Sequence, residues 1–184
     1  MKGPRKHSMS FNPPDDVLER VNNITETLAA CNEADSHFLE FMRAERARYS
    51  SDFVMVSSMV KPGSSILDIG TLPPVLPLLL ANEGYHVCGI DINPGRLVIP
   101  EEFSHFQIQK CDIEYDRIPL EDKSVDCVLL FEVFEHLRID ICRTLHEIQR
   151  VLKNEGVFMV TTPNLRSING LVNFLLYDRS YSCL

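Results

Sequence analysis

Four acidic residues stand at the ends of short apolar runs, and a histidine follows the last of them. Asp68 closes the run beginning at Ser64, Asp91 the run from His86, and Asp112 follows residues 106–111, while Glu132 follows residues 124–131. A lone acid after a strand is most often a turn former or a helix cap. Acids at three successive strand ends form a set, because strands of a parallel sheet deliver their carboxyl ends to one crevice, where such sheets bind ligands. His136 adds an imidazole, the side-chain type whose unperturbed form titrates near neutrality and so suits a general base. Its alternative role is to hold its own loop by hydrogen bonding.

The elements that must position these groups are legible in the spacing. Residues 64–70 and 86–91 predict two buried strands about twenty residues apart, with the apolar run from Val75 to Ala81 as the helix between them. A strand, helix and strand of this length make a right-handed parallel βαβ unit. Thr71 is a candidate N-cap for that helix, and Asn82, Glu83 and Gly84 its C-terminal stop. Residues 106–111 predict a third strand and residues 114–124 a loop. Residues 124–131 are almost continuously apolar, as a central parallel strand should be. Ile141, Leu145, Ile148, Val151 and Leu152 recur at helical spacing and predict a helix over 139–153, stopped at Asn154, Glu155 and Gly156. A fifth strand follows over 156–162. Upstream, Pro13 to Asp16 signals a helix start, with Val17, Leu18, Val21, Ile24 and Leu28 on one face. A second helix begins near Asp35, with Phe38, Leu39, Phe41 and Met42 as its buried stripe. The charged stretch 43–49 that follows is expected to be a solvated helix face carrying neighbouring ion pairs, with a substrate-binding patch as the alternative.

Two stretches together resemble the class I S-adenosylmethionine-dependent methyltransferases. Asp68 and Gly70 match the start of that family's D/E-x-G-x-G-x-G turn, and Asp91 matches the acid that binds the cofactor's ribose hydroxyls. The segment Val133, Phe134, Glu135, His136, Leu137 after the fourth strand is similar to the V-x-E-H-L segment of many small-molecule methyltransferases. The resemblance implies a Rossmann-like, doubly wound α/β fold with five parallel strands in the order 3-2-1-4-5. It implies S-adenosyl-L-methionine as cofactor, held by Asp68, Gly70, Thr71, Leu72, Asp91, Ile92, Asp112, Ile113 and Glu132, with no metal. Asp112 would meet the adenine amino group and Ile113 the ring. The chain departs from the pattern where Leu72 and Pro74 replace the second and third glycines, so Leu72 must widen the loop or keep a negative φ, at a cost in cofactor affinity. Pro74 is tolerable at a helix start.

The domain organisation expected is a disordered tail over 1–12, a helical extension over 13–60 and the methyltransferase-like domain over 61–184. Ser167 would cap a last helix carrying Ile168, Leu171, Val172, Leu175 and Leu176. The family's final antiparallel strands are expected to be missing, so that either the sequence is a fragment or truncated product, or the fifth strand is an apolar edge that a protein partner or self-association covers. The acceptor implied is a small molecule or glycan. The alternative is a catalytically inactive domain of the same fold that acts through a protein partner. A nicotinamide dehydrogenase ranks below both, because only Gly70 of its G-x-G-x-x-G is present.

Composition narrows the remaining classes. The 184 residues are 45% hydrophobic and carry 18 basic against 26 acidic residues, a net charge of −8. That balance speaks against a general nucleic-acid or anionic-membrane surface. The six cysteines form no C-x-x-C pair and no zinc spacing, so they are expected to be reduced, with Cys88, Cys111 and Cys127 in buried strands. With no secretory signal and no membrane-length apolar run, the chain is expected to be cytoplasmic.

Overall fold

The computed structural model describes residues 13–33 and 35–163. Three helices come first: α1 (Asp15–Ala30), α2 (Ser36–Ala44) and α3 (Arg46–Met59). The α/β part then runs β1 (Ser65–Ile69), α4 (Val75–Asn82), β2 (His86–Asp91), β3 (Ile108–Lys110), β4 (Val125–Phe131), α5 (Ile141–Val151) and β5 (Leu152–Thr161). The five strands are parallel and ordered β3-β2-β1-β4-β5. This is the Rossmann-like order expected from the sequence. The expected tail over 1–12 and the expected last helix from Ser167 lie outside the described residues.

Side-chain alternation along the strands divides the core into two layers. Ile66 on β1 and Cys127, Leu129 and Phe131 on β4 pack toward α1, α3 and α4. Leu67 and Ile69, with Val128 and Leu130, pack on the opposite face with Ile148 and Val151 of α5. The two-residue period of a strand requires this division. It also assigns Asp68 to the Ile66 face, beneath the N-terminal helices.

The structure corrects several expectations. The helix over 35–49 is broken at Glu45, whose φ of −88° and ψ of 6° end α2 and begin α3. Phe38, Leu39 and Met42 are buried, but Phe41 is 46% exposed. The stretch 43–49 is not a uniformly solvated face: Tyr49 is buried, at 4% exposure. Ion pairs do lace it, with Arg43 and Arg46 both reaching Glu26 of α1. Thr71 does not cap α4, whose N-cap is Pro74. Residues 154–156 do not stop α5; they continue β5, whose register with β4 shifts between Val125 and Cys127. The short β3 spans only three residues of the predicted six. Cys111 and Cys127 are buried and free, whereas Cys88 is half-buried. Of the apolar stripe on α5, Ile141 and Leu145 remain exposed.

Candidate active site

The turn after β1 is built from small clearances. Gly70 has φ +71°, and a Cβ there would come within 2.4 Å of Val133 Cγ2, so only glycine fits. Its N–H and that of Thr71 both donate to the Ile90 carbonyl, tying the turn to β2. A Cβ on Gly89 would meet Thr71 Cγ2 at 2.8 Å, so this second glycine makes room for the threonine under the turn. The Thr71 hydroxyl, 2% exposed as a residue, donates to Asp68 Oδ2 at 2.7 Å. Thr71 therefore orients the acid. Leu72 keeps its φ out of the left-handed region, the second of the two routes open to it, and its peptide bond to Pro73 is cis.

Asp68, Asp91 and Asp112 do end or follow neighbouring strands β1, β2 and β3. The Leu72 N–H donates to Asp91 Oδ2 at 3.2 Å and the Asn93 N–H to Oδ1 at 2.8 Å. Asp91 thus braces the turn that Asp68 underlies. Each of its oxygens retains a lone pair for a further donor. Asp112 Oδ1 accepts from the Glu114 N–H at 3.0 Å. Ile92 beside Asp91 is 61% exposed, and Ile113 beside Asp112 is 7% exposed.

A cavity of about 510 Å³, measured with the open solvent at its mouth, lies at the carboxyl end of β1 and β4. Asp68, Gly70, Thr71 and Leu72 form one wall, and Phe131, Glu132 and Val133 a second. Glu132 has φ +56°, an uncommon conformation for a non-glycine residue and one that clusters at functional sites. Asp91, Asp112 and His136 do not line this cavity. His136 sits on the exposed single turn Phe134–His136.

The third wall comes from α2 and α3: Phe41, Arg48, Tyr49 and Asp52. In the sequence, Phe41 reads as part of a buried stripe and Arg48 and Tyr49 fall in the stretch whose alternative is a substrate-binding patch, while nothing singles out Asp52. Asp52 is 5% exposed, and its Oδ2 accepts from Arg48 at 3.3 Å, while Arg48 also reaches Glu45 at 2.6 Å. The Arg48 guanidinium lies 4.8 Å from the Tyr49 ring centroid, yet the buried Tyr49 hydroxyl makes no well-formed hydrogen bond. Such an unpartnered polar atom costs on the order of 1–3 kcal/mol, which a ligand can recover. The signal available in the sequence was Tyr49 and Asp52 one helical turn apart, on the face that also carries Phe53 and Val56.

The cavity strains its carboxyls. Burial, opposed by the Thr71 hydrogen bond and reinforced by Asp52 and Asp91, pushes Asp68 up to about 7. Burial, opposed by Arg48 and reinforced by Glu132 and Glu45, pushes Asp52 up to about 6. Burial likewise holds the Tyr49 hydroxyl neutral well past its ordinary range. Among the described residues no group of three or more His, Cys, Asp or Glu is arranged to hold a metal ion.

A family model described as a methyltransferase domain matches residues 67–160, which span β1 to the end of β5. The chain belongs to the class I S-adenosylmethionine-dependent methyltransferases. A probable S-adenosylmethionine-dependent methyltransferase of Mycobacterium tuberculosis is 51% identical over 94 residues, 45% of this chain and 33% of that protein. Another from Mycolicibacterium smegmatis is 32% identical over 103 residues, 55% of this chain and 39% of that protein. The chain therefore spans roughly a third to two-fifths of the length of these relatives. The crystal structure of the PH0226 protein from Pyrococcus horikoshii shares the fold, with a TM-score of 0.58 at 23% identity over 66% of this chain and 59% of that one.

S-adenosylmethionine, the donor of this family, carries a sulfonium and a zwitterionic amino-acid tail. The site of this methyltransferase domain fits that chemistry. Two buried carboxyls suit an ammonium, the guanidinium and unpartnered hydroxyl suit a carboxylate, and glycine at position 70 lets backbone approach the ligand.

Proposed function

We propose that this chain binds S-adenosylmethionine at the carboxyl ends of β1, β2 and β4 and serves methyl transfer to a small-molecule or glycan acceptor. The observation that carries the reading is that the buried Asp68, the Gly70 turn and the buried Tyr49, whose hydroxyl makes no well-formed hydrogen bond, line one cavity. In this reading Asp68 takes the ammonium of the amino-acid tail, and Tyr49 and Arg48 meet its carboxylate. Asp91 uses its remaining lone pairs for the ribose hydroxyls, with the exposed Ile92 beside it. Asp112 receives the adenine amino group and Ile113 flanks the ring. Gly70, Thr71 and Leu72 supply the backbone that follows the tail, and Glu132 stands where acceptor and donor would meet.

The bound donor supplies an already activated methyl group, so the work left to the protein is positioning. The N-terminal helices contribute by closing one wall and excluding water, which strengthens every charge contact inside. His136 is the candidate general base in this reading, and the cytoplasm the expected compartment. Among the described residues no helix is long and apolar enough to cross a membrane.

Calorimetric titration with S-adenosylmethionine tests the reading, followed by transfer of a labelled methyl group to a panel of glycans and small metabolites. Saturable binding at one site per chain supports it. An absence of binding at millimolar donor would remove it and favour the alternative of an inactive domain.

A further inference from the structure

The cavity holds more negative charge than an amino-acid tail needs. Asp68 on β1 and Asp52 on α3 are both buried, and Glu132 at the end of β4 lines the same space. The groups facing Asp52 are Glu45, Arg48 and Tyr49 from its own helix and cap, with Asp68 and Glu132 from the sheet. Asp91 acts on the set through Asp68. Arg48 is the cation lining the cavity, and it is shared between Glu45 and Asp52. The Tyr49 hydroxyl, on a residue 4% exposed, makes no well-formed hydrogen bond in this wall and so has bonding capacity left for a ligand. The ammonium and carboxylate of an amino-acid tail cancel, and one acid suffices to seat the ammonium. The second buried acid is left to answer a further positive charge.

We propose that Asp52 is a specificity-determining residue that makes the site prefer the cationic sulfonium donor to its neutral thioether product. This rests on the proposal that the cavity holds S-adenosylmethionine. Donor and product share the adenosine and the zwitterionic tail, and they differ by a single positive charge. Asp68 greets the ammonium of both. Asp52, across the cavity, adds an attraction that only the sulfonium rewards, since in a water-poor site opposite charges a few ångströms apart interact strongly. Loss of the methyl group removes that attraction, so the spent product leaves a site still suited to fresh donor.

The two acids also tie this preference to pH. With Asp52 titrating near 6 and Asp68 near 7, both are largely protonated at pH 5 and largely charged at pH 8. A cation that binds the charged forms must then release protons on binding at intermediate pH.

Calorimetric titrations of the full chain with S-adenosylmethionine and S-adenosylhomocysteine, from pH 5 to 8.5, read this directly. Donor affinity should rise about tenfold over that range and product affinity about threefold, the size that a one-unit or half-unit pKa change on binding produces. Asp52→Asn should lower the donor-to-product affinity ratio about fivefold at pH 8 and flatten the donor's pH profile, by the same linkage. Asp52→Glu should restore part of both. Retained product binding by Asp52→Asn shows that it folds. An unchanged ratio and pH profile in Asp52→Asn would overturn the proposal while leaving donor binding intact. Failure of the wild-type chain to bind either compound would overturn the methyltransferase reading and this proposal with it.

Discussion

The two ends of the parallel sheet treat their acids in opposite ways. At the amino end, Asp126 on β4 accepts from the Ser65 N–H at 2.9 Å and the Ser65 hydroxyl at 2.7 Å, and its other oxygen meets Lys153 Nζ at 2.8 Å. Those partners hold its carboxyl down at about 2. At the carboxyl end, Asp68 is buried with the Thr71 hydroxyl as its hydrogen-bond donor, and burial drives it up to about 7. One acid is satisfied by the protein itself. The other is left wanting a positive charge from outside. The same residue type thus serves the fold at one end and costs it stability at the other, which is how a binding site differs from a structural contact.

The sharpest way to break the comparison is at the turn. Gly70→Ala forces a Cβ into Val133 at a positive φ and should lower stability by about 2–4 kcal/mol, read as a fall in Tm, with donor binding lost. Asp91→Ala should weaken S-adenosylmethionine by about a hundredfold in titration, since it removes charge-assisted hydrogen bonds and the brace on Leu72.

Next come two variants of opposite sign. A carboxyl whose folded pKa is raised stabilises the fold below the unfolded value near 4, and that contribution drains away as pH rises toward 7. Asp68→Asn should therefore raise stability at pH 8 by about 1–2 kcal/mol while weakening the donor. Asp126 has a lowered pKa, so its contribution is present above about pH 4 and is lost as pH falls toward 2. Asp126→Asn should cost about 0.5–1 kcal/mol at neutral pH, since the pair with Lys153 is partly solvent-screened, and should leave donor binding unchanged. Denaturant melts of the two variants at pH 5 and pH 8 check both signs. His136→Ala should leave donor affinity unchanged, with a loss of about tenfold in transfer rate near neutral pH if the imidazole is the base. An unchanged pH–rate profile would remove that role.

The same contrast explains what the sequence discloses. Strand positions were readable because a buried parallel strand must be apolar nearly throughout, so an acid at its end stands out, while the order of the strands came from the family resemblance. Asp68 and Glu132, picked out this way, both line the cavity, whereas Asp91 does not. For Arg48 and Tyr49 the substrate-binding alternative ranked second because a charged stretch rich in arginine has the composition of a solvated helix face, and Asp52 was not singled out. Only the break at Glu45 turns that stretch so that Tyr49 and Asp52 face the sheet. Residues 154–156 misled for a related reason. Asn, Glu and Gly together have the chemistry of a helix stop, but α5 had already ended at Val151, and pairing with β4 across the register shift carried them into β5. Thr71 has a capping residue's chemistry, yet the space left by Gly89 drew its hydroxyl to Asp68 instead.

In the proposed reading, the sheet's carboxyl end is left unsatisfied so as to receive an adenosyl sulfonium. Side-by-side titration of S-adenosylmethionine into the wild-type chain, Asp68→Asn and Asp126→Asn addresses it most directly. The account predicts one-site binding by the wild type, about tenfold or greater weakening in Asp68→Asn, as expected for losing a buried charge partner, and wild-type affinity in Asp126→Asn. Equal affinity in all three, or none in the wild type, would contradict it.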